Sequence, residues 1–147
     1  MARGDLVIFD EALAKMIAGD WASTDEFWCA ICDDTVTPIA AFATPVIGDF
    51  TQVGTDGIYV SGGINLGALS ALVSEAAGVM TFDSATNPTW AQDANNDVDA
   101  YWGIIYNYTD AGKDCLCFVD LGGPVDMSGG DLTITFGALG LFTIASA

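Results

Sequence analysis

The sequence contains no histidine and only three basic residues, Arg3, Lys15 and Lys113, in 147 positions. Each shortage excludes a class of function. Without histidine there is no Ser-His-Asp triad, no imidazole base and no imidazole metal ligand. Three cations cannot neutralise a run of phosphates, so nucleic-acid binding is excluded, and so is docking on anionic membranes. With no arginine beyond Arg3, a phosphate-handling enzyme lacks its usual bidentate clamp. No P-loop or dinucleotide fingerprint occurs. Long apolar runs are missing too. Gly57–Ser74 is uncharged but interrupted by Gly57, Gly62, Gly63 and Gly67, and uncharged Leu132–Ala147 is shorter than the ~20 residues of a spanning helix. Met1–Asp10 holds Arg3, Asp5 and Asp10 around a short apolar Leu6–Phe9, unlike a signal peptide. A soluble protein is expected.

What is present is an unusual pairing. Twenty acidic residues give a formal charge of −17, yet 52% of residues are hydrophobic and mean hydropathy is +0.43. A small domain is comfortable at a net charge of about 2–8, so self-repulsion should weaken an isolated chain at low salt. The pairing predicts a protein that hides apolar surface in partners and leaves an acidic face to solvent. Its length fits one domain.

The chain opens with a predicted helix over Glu11–Ala18, with Asp10 as N-cap, Gly19 as stop, and Leu13, Met16 and Ile17 on one face. Residues 1–25 therefore read as an N-terminal arm and short helix. Phe27–Cys32 reads as a buried strand. Thr35–Gln52 is apolar but punctuated by Pro38, Pro45 and Gly48, so residues 35–56 read as an extended, arm-like segment suited to lie over a neighbouring subunit.

From Ile58 onward the pattern is β. A turn or bulge falls at Gly62-Gly63. Strands are predicted at Ile64–Val73, Val79–Phe82, near Trp90, and at Ala100–Tyr108, Cys115–Leu121, Leu132–Phe136 and Leu141–Ala145. Ala100–Tyr108 alternates, with Trp102, Ile104, Tyr106 and Tyr108 on one face and Tyr101, Gly103, Ile105 and Asn107 on the other. Loops are read at Asn87–Asp97, at Asp110–Asp114 as a hairpin connection, at Gly122–Gly130 and at Gly137–Gly140. The fold expected is mainly β: a single antiparallel β-sandwich or Greek-key barrel with one short N-terminal helix and a long extended arm.

Four groups of residues are candidates for chemistry. Cys29-x-x-Cys32 and Cys115-x-Cys117 supply four thiols, but strand geometry puts Cys29 and Cys32 on opposite faces and their neighbours are apolar. Buried free thiols acting as small hydrophobes are the leading reading, with a disulfide and a zinc site as alternatives. A redox motif is disfavoured, because no helix N-terminus follows Cys29. Asp93, Asn95 and Asp97 have calcium-loop spacing, but the sixth position is Val98 and the twelfth Ile104, so this is no EF-hand. A solvated acidic loop is the default, with a looser cation site as the alternative. Asp25-Glu26 and Asp33-Asp34 read as turn and rim residues rather than a catalytic carboxylate pair. Trp90, Trp102, Tyr101 and Tyr106 could line a sugar platform, though core or interface packing is the commoner role. Asn107-Tyr108-Thr109 is a formal glycosylation sequon, given no weight without a secretion signal.

Asn87-Pro88-Thr89-Trp90, Tyr101-Trp102-Gly103-Ile104-Ile105-Tyr106-Asn107, Phe118-Val119-Asp120-Leu121-Gly122-Gly123 and Gly129-Gly130-Asp131-Leu132-Thr133-Ile134-Thr135-Phe136 occur in that order, before a closing strand ending Ile144-Ala145. This order, preceded by a short helix and a strand, resembles a group of small structural proteins of tailed bacteriophages, the head decoration or cement proteins. The likeness spans most of the chain and consists of strand-and-turn patterns. It implies a non-enzymatic virion protein, made in the host cytoplasm and bound outside the major capsid shell, with the major capsid protein and itself, as a homotrimer, for partners. No cofactor or metal is expected. A tail, neck or head-fibre-base component is the alternative within that class, and a carbohydrate-binding β-sandwich the alternative outside it. An outer-surface role fits the acidic charge, and the apolar surplus suits docking through Pro38, Ile39, Phe42, Pro45, Val46, Phe50, Leu141, Phe142 and Ile144.

Overall fold

The computed structural model describes residues 1–54, 57–96 and 98–145. In chain order its elements are β1 (Leu6–Ile8), α1 (Asp10–Ala18), β2 (Glu26–Cys32), a 3-10 turn (Ile47–Asp49), β3 (Ile64–Ala68), α2 (Leu69–Leu72), β4 (Val73–Ala76), β5 (Val79–Phe82), β6 (Thr89–Trp90), β7 (Ala100–Asn107), β8 (Cys115–Val125), β9 (Leu132–Thr133) and β10 (Phe142–Ala145). The protein is mainly β, its sheets are antiparallel, and α1 is its one short N-terminal helix.

Helix α1 forms where expected, but its start and its buried face differ from the expectation: Leu13 and Met16 are only half-buried, Ile17 is 86% exposed, and Ala12 is the residue that is buried. Phe9 holds the cap position without a side-chain hydrogen bond, and Asp10 and Glu11 lie in the first turn, where their charge meets the positive end of the helix. Gly19 ends the helix in the left-handed region, its N–H reaching the Lys15 carbonyl.

The main sheet has the order β1-β8-β7-β2-β3. Strand β1 was not foreseen; three residues are too few for a periodic signal. β7 and β8 sit centrally because both their faces are apolar, and most of their residues are buried. One face is covered through Phe118, which packs on Phe9 with ring centroids 5.1 Å apart, and Phe9 in turn meets Phe50 at 6.1 Å. On the other face Phe27 of β2 meets Phe82 of β5 edge-on at 5.7 Å. Ile134 closes over Gly103, where an added Cβ would lie 2.6 Å from the Ile134 Cδ1. β10, β5 and β4 form a second sheet, and β6 pairs with β9.

Several expectations need correction. The main sheet ends in β1 on one side and β3 on the other, so it does not close into a barrel. Ile64–Val73 is not one strand. After Ala68 the Leu69 N–H donates to the Asp25 carbonyl and the Ser70 N–H to the Ser23 carbonyl, which pulls the chain off the sheet into one helical turn before β4 begins. β8 continues through Gly122 and Gly123 to Val125, which stands opposite Ala100 beyond a register shift. Of Leu132–Phe136, only Leu132 and Thr133 pair as a strand.

The segment 35–52 has little regular pairing, as read: one 3-10 turn and the bridges Val46–Asp114 and Cys32–Gln52. It folds onto its own sheet, however, with Phe42 against Phe50 at 5.4 Å and Phe50 against Phe9. The ring contacts explain why: two aromatic residues find an apolar sheet face within reach and need no neighbour to cover them.

Candidate functional site

The three cations make no basic patch. Lys15 forms an ion pair with Asp114, tying α1 to the β7–β8 connection, and that hydrogen bond raises the Lys15 pKa. Lys113 donates to the Tyr108 carbonyl at 2.9 Å and stands 3.8 Å from the centre of the Tyr108 ring. The stem of Arg3 lies across Gly122. Among the described acidic residues only Asp93 and Asp120 are buried, so the negative charge is carried on the surface.

The carboxylates singled out in the sequence are occupied by their own loops. Both oxygens of Asp93 accept backbone N–H groups, from Ile58 at 2.6 Å and Asn95 at 3.0 Å. Asp93 thereby fastens its loop to the chain at Gly57, where an added Cβ would fall 1.8 Å from the carboxylate. Asp97, the third residue of the calcium-like spacing, lies outside the described residues. Asp25 accepts from the Ala22 N–H and from the Asn107 side-chain amide, and Asp33 from the Thr35 N–H and hydroxyl. Among the described residues no three acidic or cysteine side chains gather as a metal-holding group. Asp93→Asn replaces one acceptor oxygen by an amide donor facing a backbone N–H. We expect it to destabilise the fold by about 1.5–3 kcal/mol in urea unfolding, equally with calcium or with a chelator. A stabilisation of the parent chain by calcium that the variant loses would instead make the loop a cation site.

All four cysteines are free and buried. Cys29 and Cys117 both stand opposite Ile105, one on each neighbouring strand. A register shift between Ile105 and Tyr106 puts Cys115 opposite Tyr106. This breaks the simple alternation that would have placed Cys115 and Cys117 on one face. Burial pushes all four thiols up, Cys32 to about 12 and the other three above their ordinary value. Such thiols remain protonated and poorly nucleophilic.

The four aromatic residues of the supposed sugar platform do not come together. Trp90 and Tyr106 are buried, and the Tyr106 hydroxyl donates to the Gly62 carbonyl. Trp102 and Tyr101 are successive residues of β7 and therefore point to opposite faces. A different aromatic pair is on the surface. Trp28 stacks on Tyr108 with centroids 4.2 Å apart and planes at 18°, beneath Lys113. Its signal was the register of β2 against β7, which single-strand periodicity does not contain. The sequon asparagine, Asn107, is fully buried; its carbonyl oxygen accepts from the Thr109 and Asp110 N–H groups.

The proposed contact residues divide sharply by exposure. Pro38, Pro45, Phe50 and Leu141 are buried in their own chain, and Phe42, Val46 and Phe142 are half-buried. The buried ones have no surface left to offer, because the segment folds back on the sheet. Ile39 and Ile144 are exposed, at 56% and 43%. The sequence reading missed Leu139, which is 75% exposed at the Gly137–Gly140 turn. Leu139 and Ile144 belong to the uncharged run that starts at Leu132. The same run walls a cleft of about 310 Å³, where Leu132, Ile134, Phe136 and Leu141 face Leu6 and Val119, and Arg3 also lines it. This uncharged C-terminal surface is the candidate functional site.

No family model matches the chain, and neither a curated protein nor a solved structure matches it.

Proposed function

We propose that this is a non-enzymatic structural protein of a tailed-phage virion, a decoration protein bound as a homotrimer to the outside of the major capsid shell. The observation that carries this reading is the contrast between the surface charge and the uncharged run from Leu132 to Leu141, which exposes Leu139 at its turn and walls a cleft closed by Arg3 and Asp120. An outer-surface protein gains from repelling polyanions everywhere except where it docks. The resemblance of the strand-and-turn order to that of decoration proteins supports the same reading. The packing of Phe82 in the second sheet on Phe27 in the main one supports a two-layered sandwich.

Co-sedimentation with purified capsid shells tests it. The parent chain should pellet with shells, and Leu139→Asp should weaken that binding by about tenfold or more, as charging an apolar contact does, while leaving the melting temperature unchanged. Docking through an uncharged surface should also survive high salt; release by salt would mean that the acidic face is the docking face. A chain that never pellets with shells, yet assembles with tail or neck components, belongs to the tail.

A further inference from the structure

We propose that the open edge of β10 is a pairing surface for a second copy of this chain, the two β10 strands running antiparallel about a twofold axis. Among the described residues, in the order β10-β5-β4, β10 has a strand partner on one side only. Its register with β5 is unbroken over four pairs, from Phe142 opposite Phe82 to Ala145 opposite Val79. A regular edge of this kind leaves alternate backbone N–H and C=O groups aimed outward, ready to accept another strand.

Proteins guard such edges with charge, proline or a bulge. The other edges of the two larger sheets carry guards. β4 contains Glu75, β1 is three residues long between Asp5 and Asp10, and β3 contains Gly67 and shifts register against β2 at Phe27/Trp28. β10 reads Phe-Thr-Ile-Ala, with no charge, no proline and no shift, and Ile144 on it is 43% exposed.

Charge selects the occupant. Over most of its surface a copy of this chain meets like charge, since each carries −17. Along 132–145 there is no charge on either side, so two copies approach there at the least Coulomb cost. The strip itself offers a basic partner no carboxylate, and the Asp83 side chain beside it lies against Gly140, before β10 begins. A twofold axis sets β10 against β10, uncharged edge to uncharged edge, and makes the contact self-complementary. This contact requires no capsid, and it joins threefold rings rather than building them.

The test is the mass of the full chain by light scattering from about 1 to 100 μM, a range that brackets micromolar self-association, together with hydrogen exchange of the β10 amides. Association should give an even-numbered complex, a dimer or a pair of rings, with β10 amides protected as concentration rises. Ile144→Lys, at an exposed position, should weaken it by about tenfold or more through like-charge apposition across the axis. Thr143→Asp should do the same, and a native near-ultraviolet spectrum for both variants keeps a folding defect apart from a pairing defect. A monomer throughout overturns the proposal. So does an odd-numbered complex with unprotected β10 amides, or association indifferent to both substitutions. Any of these leaves capsid binding by the separate co-sedimentation test unaffected.

Discussion

Raising the pH from 9 to about 12 is expected to unfold the reduced protein cooperatively, with the loss of stability beginning near the ordinary thiol pKa. Cys29, Cys32, Cys115 and Cys117 are buried, and desolvation holds each thiol pKa above its ordinary 9.0. Below that value the thiols are protonated in both states, and their full contribution to stability is present. Above it the unfolded chain releases protons that the folded chain retains, so stability falls as pH rises. For Cys32 this window runs from 9.0 to about 12. Each thiol costs about 1.4 kcal/mol per pH unit inside its window, so four together cost about 5–6 kcal/mol per unit, enough to exhaust a typical domain stability of about 5–15 kcal/mol.

Other groups act in the same direction at higher pH. Tyr59 and Tyr106 are raised by burial from 10.0, and Lys15 is raised from 10.5 mainly by its hydrogen bond with Asp114. The check is urea unfolding at a series of pH values with reductant present. Replacing Cys29 and Cys117 by alanine should roughly halve the steepness between pH 9 and 10, whatever it does to stability at pH 7. A flat profile from pH 8 to 11 would show that the thiols are not held in an apolar interior.

Gly63→Ala should cost about 3–5 kcal/mol, combining a left-handed backbone with a collision that side-chain rotation cannot relieve. Gly63 has φ +83°, and an added Cβ would fall 1.9 Å from the Cys29 carbonyl oxygen and 2.7 Å from the Ala30 Cα. Both are backbone atoms of β2. The turn cannot retreat freely, because the Gly62 carbonyl accepts the Tyr106 hydroxyl and the Gly62 N–H donates to the Gln52 side chain. The substitution therefore has to lift the start of β3 off β2, where Ile64 pairs with Cys29. Gly129→Ala serves as the control, since nothing lies within 4 Å of its added Cβ. Urea unfolding of both variants decides the point. A loss under about 1 kcal/mol at Gly63 would place the turn away from the sheet.

The glycine doublet at 62–63 was legible as a turn; the reason only glycine fits was not, because it lies in a strand more than thirty residues earlier. The same division runs through the molecule. Local periodicity located α1, β5 and the core of β7, where alternation persists for eight residues. It failed at Ile64–Val73, where an unbroken apolar run conceals a helical turn fixed by the distant carbonyls of Ser23 and Asp25. Apolar content likewise marked the segment 35–52 without saying which side chains it uses at home. Phe50 is 4% exposed and Ile39 56%, a difference set by which of them reaches Phe9. The candidate surface was half legible. Absence of charge after Asp131 can be read from sequence, whereas the exposure of Leu139 and the single-sided pairing of β10 belong to the tertiary fold.

If this chain decorates the outside of a capsid, as proposed, its copy number in purified virions must match the repeated sites of the shell. Quantitative gel densitometry against the major capsid protein should give on the order of hundreds of copies per particle, as repeated lattice sites require. A dozen copies or fewer, or absence from the purified particle, would contradict the proposal.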